Sequence, residues 1–137
     1  MAEALRIGIA GLGTVGASVA RVLRDKAGEL TRQCGRPITV TAVSARDRAK
    51  DRGIDLADIA WLDNPVDLAR SNAIDVFVEL VGGDEGAARE AVKAALEAGR
   101  HVVTANKALL AKHGVALAEI AEKKGVLLNY EAAVAGG

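Results

Sequence analysis

The sequence predicts an α/β chain built on a doubly wound parallel sheet with helices on both faces. Three observations predict it. An apolar run, Leu5 to Ala10, leads straight into Gly11-x-Gly13-x-x-Gly16, and a helical pattern follows at once. Apolar, β-branched segments then alternate with segments of 3.6-residue periodicity along the whole chain. Ala73 to Val81 is nearly all apolar, as befits a strand buried on both faces. Right-handed crossovers make such a sheet Rossmann-like, with its ligand at the carboxyl ends of the strands.

Each element follows from local chemistry. The first strand covers about Leu5 to Ala10, and one long helix is expected from Thr14 to about Gln33. Val15, Val19, Val22, Leu23, Ala27 and Leu30 recur at helical spacing as its buried stripe, and Gly35-Arg-Pro37 stops it. Ile38 to Ser44 is β-branched and reads as the second strand. Residues 45 to 64 are mixed and charged, so a loop is expected, with a helical turn around Leu56 to Trp61. Pro65 to Ser71 reads as a short helix capped by Asn64, with Pro65 in its first position. The strand Ala73 to Val81 is broken by Gly82-Gly83.

Asp84 is the expected cap of the next helix, through Ala98, with Ala87, Ala88, Ala91, Val92, Ala95 and Leu96 facing inward. Gly99 suits its left-handed end. His101 to Thr104 reads as a strand. Ala105 to Lys112 is expected as a turn and short helix, and Val115 to Lys124 as a separate helix ended by Gly125. Val126 to Tyr130 is the last strand. The pattern contains no internal repeat, low-complexity tract or interdomain linker.

Composition narrows the function. The 137 residues fit one domain, which at this size buries roughly 68% of the unfolded chain's surface. Eighteen basic residues balance eighteen acidic ones, and no basic stripe carries interleaved aromatics. Nucleic acid is therefore excluded as the main partner, and an anionic ligand must be held by local backbone geometry. Cys34 is alone, which excludes an internal disulfide and a cysteine metal cluster and suits a reducing cytoplasm. His101 and His113 form no metal-ligand spacing with it. The amino terminus lacks a signal-peptide layout, and no apolar run approaches the ~20 residues that span a membrane.

The informative loops are those that follow strands. In Gly11-Leu12-Gly13-Thr14-Val15-Gly16, Gly11 turns the chain out of the strand, Gly13 admits a pyrophosphate to the backbone, and Gly16 lets helix and sheet approach. The helix that starts there points unpaired N–H groups and a positive dipole end at the phosphates. Ser44 and Arg46 end the second strand and suit a 2′-phosphate, which leans the site toward NADP; Asp47 keeps NAD possible. Val81, Gly82 and Gly83 lie where a nicotinamide ribose would approach. Glu79 is expected to pair with backbone N–H groups at its strand end, with catalysis the alternative. Thr104, Asn106 and Lys107 set polar groups and a cation at the same edge, where Lys107 can meet a carboxylate or phosphate. Glu131 and the glycine-rich segment after it read as a ligand-facing or ion-binding turn.

Four segments together resemble the homoserine dehydrogenase family. They are Gly-Leu-Gly-Thr-Val-Gly at 11–16, Glu-Leu-Val-Gly-Gly at 79–83, His-Val-Val-Thr-Ala-Asn-Lys at 101–107 and Glu-Ala-Ala-Val-Ala-Gly-Gly at 131–137. The first is common to many dehydrogenases; the last three in this order are specific. The resemblance implies NAD(P)-dependent interconversion of L-homoserine and L-aspartate 4-semialdehyde, on the route to threonine, methionine and isoleucine. It also implies that Thr14 and Val15 lie in the cofactor turn, that Arg46 meets the adenosine phosphate, and that Lys107 supports catalysis near the nicotinamide. Glu131, Val134 and Gly136 match positions of a structural sodium ion, for which oxygen ligands are suited. Family members are longer. The resemblance therefore implies that residues 1–137 are the cofactor domain of a homodimeric enzyme whose main catalytic and dimerising groups lie elsewhere, and that this piece is inactive alone. A stand-alone NAD(P)-binding module without catalysis is the alternative.

Overall fold

The computed structural model describes residues 4–11, 14–44, 59–81 and 86–130. In these, a single parallel sheet carries helices on both faces, as the alternating pattern predicts. The elements run β1 Leu5–Ala10, α1 Thr14–Asp25, α2 Ala27–Cys34, β2 Ile38–Ser44, β3 Ala60–Leu62, α3 Pro65–Ala69, β4 Val76–Glu79, α4 Ala87–Glu97, β5 His101–Thr104, α5 Lys107–Lys124 and β6 Leu128–Tyr130. The sheet order is β3-β2-β1-β4-β5-β6. Chain direction across the sheet therefore reverses between β1 and β4, the switch point at which doubly wound sheets bind ligands.

Alternation within the strands divides the apolar core in two. Ala10, Ala42, Phe77 and Val102 pack with α3, α4 and α5 residues such as Leu68, Val92, Leu96, Leu109 and Leu117. Ile7, Ile9, Val43, Val76 and Val78 face the other way and pack with Ala20, Val19 and Leu23 of α1. Phe77, the largest of the fully buried side chains, comes from the central strand β4.

Several boundaries depart from the sequence pattern. The first long helix is two helices, α1 and α2, separated at Lys26, whose φ −105° and ψ 19° leave the helical region. Gly28 weakens helix there by about 1 kcal/mol relative to alanine. Val22, expected in the buried stripe, is half exposed, and Val19, Ala20 and Leu23 form the inward face instead. Val15, Ala27 and Leu30 have side chains outside the described set. Residues 60–62 form β3, paired to β2, where a helical turn was expected up to Trp61. Strand pairing decided there over weak local preference.

On α4, Ala87 is exposed and Ala94 is buried in its place, because the helix starts at Ala87, later than expected, behind Gly86. The two helices expected between Ala105 and Lys124 are one, α5, which runs through Gly114. Leu109, Leu117 and Ala121 lie on one buried stripe of that helix, so packing overrides the single glycine. The strands β4 and β6 are shorter than the apolar runs that contain them.

The stops and caps agree with the sequence. Gly35, Gly99 and Gly125 all take positive φ at helix ends. Pro65 opens α3, and the Asn64 side chain accepts the Val66 N–H at 2.8 Å. Asp84 lies outside the described residues.

Candidate functional site

The strands finish level with one another. Register pairs Leu62 with Ser44, Ser44 with Ala10, Ala10 with Glu79, Glu79 with Thr104, and Thr104 with Tyr130. These six residues form one row across the carboxyl edge. The buried polar side chains among the described residues are Ser44, Glu79, Thr104 and Asn106, and all four belong to this edge. Apolar residues fill the remaining core, so polar chemistry is concentrated on one side of the sheet.

Gly11 occupies the centre of the edge. Its N–H donates to the Ser44 carbonyl at 2.8 Å, and the Leu80 N–H donates to the Ala10 carbonyl at 2.9 Å. Those bonds hold the exit of β1 between the ends of β2 and β4. The residue has φ +96°, and a Cβ there would lie 2.8 Å from the Leu80 carbonyl oxygen. Only glycine fits both the conformation and the approach. The chain then opens α1, whose first turn contains no acidic residue. The helix thus supplies no acidic residue of its own to offset its positive end. Among the sequence-predicted residues, Gly11 and the start of α1 at Thr14, Val15 and Gly16 are brought to this point. Leu12 and Gly13 lie outside the described residues, as do the side chains of Thr14 and Val15.

Beside Gly11 on the β2 side stands Ser44, only 4% exposed. It meets the turn through its carbonyl. Arg46 and Asp47 lie outside the described residues.

The other half of the edge is a hydrogen-bonded chain. Glu79 is fully buried; its Oε2 accepts the Val81 N–H at 2.7 Å and its Oε1 accepts the Thr104 hydroxyl at 2.7 Å. Thr104 Oγ1 also accepts the Asn106 N–H at 3.0 Å. Asn106 Oδ1 then caps α5 by accepting the Leu109 N–H at 3.0 Å. The expected pairing of Glu79 with a backbone N–H is therefore present. The bond to Thr104 was missed, although a signal existed: two polar residues close two adjacent apolar strands. Leu80, whose carbonyl defines the space around Gly11, was also passed over as an ordinary apolar residue.

Lys107 begins α5 and is exposed, and no acidic residue lies in that helix's first turn. A cation at the positive end of a helix is locally unfavourable. Two helix starts without an acidic residue in their first turns thus follow strands that end at this edge, an arrangement suited to an anion. Val81, 41% exposed, adds apolar surface between them in sequence and along the edge. Gly82 and Gly83 lie outside the described residues, as do Glu131, Val134 and Gly136. Among the described residues no group of three His, Cys, Asp or Glu side chains could hold a metal, and no helix is long and apolar enough to cross a membrane.

Comparison with known proteins covers nearly the whole chain. The family model described as homoserine dehydrogenase, NAD binding domain, matches residues 11–131. The homoserine dehydrogenase of Neisseria gonorrhoeae is 47% identical over 97% of this chain and 30% of its own length. Among solved structures, a homoserine dehydrogenase from Thiobacillus denitrificans is 42% identical with a TM-score of 0.85, covering 95% of this chain and 30% of that one. An S. aureus homoserine dehydrogenase at pH 8.5 is 30% identical with a TM-score of 0.85, covering 96% and 33%. The chain thus spans about a third of the length of the relatives it matches.

Proposed function

This chain belongs to the homoserine dehydrogenase family, as its NAD-binding domain, and from that premise we propose that it holds NAD(P) for the interconversion of L-homoserine and L-aspartate 4-semialdehyde. Gly11 carries the proposal: pinned between β2 and β4, with no room for a Cβ, it offers main chain and no side chain to a diphosphate at the turn. The first N–H groups of α1, with Leu12, Gly13, Thr14, Val15 and Gly16, take the diphosphate there. When bound, the nicotinamide supplies hydride transfer. Val81, with Gly82 and Gly83, lines its approach, and Thr104 and Asn106 support the neighbouring segment. Lys107 supplies a positive charge for substrate or cofactor at the start of α5. Arg46 carries the preference for a 2′-phosphate, with Ser44 holding the turn beside it. The groups that act on homoserine, and the dimer contacts, belong to the part of the enzyme outside residues 1–137.

Calorimetric titration of the 137-residue chain with NADPH and NADH tests the reading. Saturable binding of NADPH is expected, and Arg46→Ala should lower the NADPH/NADH affinity ratio by about tenfold, as loss of a charged hydrogen-bonding partner does. Absence of any heat at about 1 mM ligand, the affinity of a merely 4 kcal/mol interaction, would overturn it. Turnover of homoserine by this chain alone would show that the main catalytic groups lie within residues 1–137.

A further inference from the structure

A carboxylic acid with no exposed surface is costly to keep at the end of the apolar strand β4, and it persists where its hydrogen bonds fix something. Glu79 fixes two things. One oxygen holds the main chain at Val81; the other holds Thr104, and through Thr104 the Asn106 backbone and the capped start of α5. The strands β4 and β5 are joined by main-chain pairing up to Glu79 and Thr104, where the ladder ends. Beyond that point, among the described residues, the two strands are joined by a long 3.4 Å bond from the Ala105 N–H to the Glu79 carbonyl. The side-chain bridge therefore continues the pairing one step past the sheet, where the chain diverges toward Val81 on one side and Lys107 on the other.

We infer that Glu79 and Thr104 are positioning residues that set the separation between the Val81 main chain and the start of α5, and so seat the nicotinamide half of the cofactor. This rests on the NAD(P)-binding reading. Neither side chain needs to touch the cofactor: both are buried and already engaged with each other. The two halves of a doubly wound sheet take the two mononucleotide halves of the ligand, and the bridge lies wholly in the half built from β4 and β5. A loosened bridge should therefore weaken a ligand that has a nicotinamide and leave alone one that has only the adenine end.

Thr104→Val keeps the side chain's shape and removes its hydroxyl. Thr104→Ser keeps the hydroxyl. Glu79→Gln keeps an acceptor for the Val81 N–H and exchanges the other oxygen for a donor facing Thr104, so it tests the same bridge if the valine variant fails to fold. The 137-residue chain is titrated with NADPH and with adenosine 2′,5′-bisphosphate, and amide hydrogen exchange is followed in the ligand-free protein. Thr104→Val and Glu79→Gln should bind NADPH about tenfold more weakly, the loss expected for one buried hydrogen bond, with bisphosphate affinity within about twofold. Thr104→Ser should restore NADPH binding. Exchange at Val81, Asn106 and Leu109 should quicken in Thr104→Val. Parallel weakening of both ligands, or unchanged NADPH binding despite faster exchange, would reduce the bridge to a structural one and overturn the inference. A wild-type chain that binds neither ligand would instead overturn the cofactor reading beneath it, with the exchange data still recording whether the bridge holds.

Discussion

Two glycines of β1 and its exit look alike in the sequence and behave differently in the structure. A Cβ on Gly8 would meet Ile74 Cγ2 at 2.7 Å and Leu68 Cδ1 at 3.1 Å, side chains of a packed core. A Cβ on Gly11 would meet the Leu80 carbonyl, main chain that β4 holds in place, at a φ of +96°. Repacking can relieve the first and cannot relieve the second. Gly11→Ala is expected to destabilise the domain by about 1–3 kcal/mol, the range for a residue forced into a sparsely populated backbone region, and to abolish measurable NADPH binding. Gly8→Ala should also destabilise, by about 1–3 kcal/mol of overpacking, yet retain binding once folded. Urea unfolding and titration of the two variants separate these outcomes. The glycine spacing made Gly11 legible as a turn. Its obstacle, a carbonyl sixty-nine positions later in the chain at Leu80, was not, because no local pattern encodes a contact across β1 and β4.

At the scale of elements, caps were the most legible features and continuity the least. Asn64 before Pro65 announces α3, and its side chain makes the expected bond. Asn106 performs the same task for α5, a role the sequence reading, which placed it among the polar residues of the cofactor edge, did not assign to it. Its oxygen is engaged by the Leu109 N–H and it is only 8% exposed. Asn64→Ala should cost about 1 kcal/mol and Asn106→Ala up to about 2 kcal/mol, since the donor released by the second is buried. Paired thermal melts will show whether the order holds. The split of α1 from α2 and the fusion of α5 across Gly114 went against the sequence pattern for one reason. Helix propensities near Lys26 and Gly114 differ by less than tertiary packing can supply, so the stripe Leu109, Leu117 and Ala121 decides one case and the turn at Lys26 the other.

For the whole molecule, the doubly wound parallel sheet with helices on both faces was readable from the alternation of strand and helix patterns, because right-handed crossovers leave few other arrangements; the order of the strands came from the structure. The assignment of polar groups to edges was only half readable. The carboxyl edge carries Ser44, Glu79 and Thr104, whereas the opposite edge is clamped by Arg6 and Asp75, a pair the sequence pattern did not single out. Arg6 Nη2 and Nε meet the two Asp75 oxygens at 2.9 and 3.2 Å, the Arg6 N–H donates to Oδ2 at 2.9 Å, and Arg6 Nη1 reaches the Asn72 carbonyl at 2.8 Å. The Arg6 side-chain hydrogen bond holds the Asp75 carboxyl below its usual range, against the opposing effect of burial. A depressed carboxylate stabilises the fold above its unfolded value, near pH 4, and that contribution disappears as the pH falls through the lower folded value. Asp75→Asn should therefore be less stable than the parent near neutrality, and the gap between their urea midpoints should close as the pH is taken below about 4. Both partners are partly exposed, so the gap should be small and should shrink with salt.

The level row from Leu62 to Tyr130 has a mechanical meaning. With strands about 4.8 Å apart, six of them make a bench about 24 Å wide. Its left and right portions are joined at the midline by the four residue pairs from Ile7–Val76 to Ala10–Glu79, with the Arg6–Asp75 clamp below them and the Leu80–Ala10 bond above. An extended dinucleotide laid along that bench bridges the joint from above, as a cross-brace does, so loading the cofactor should stiffen the two portions against each other more than it stiffens either one alone.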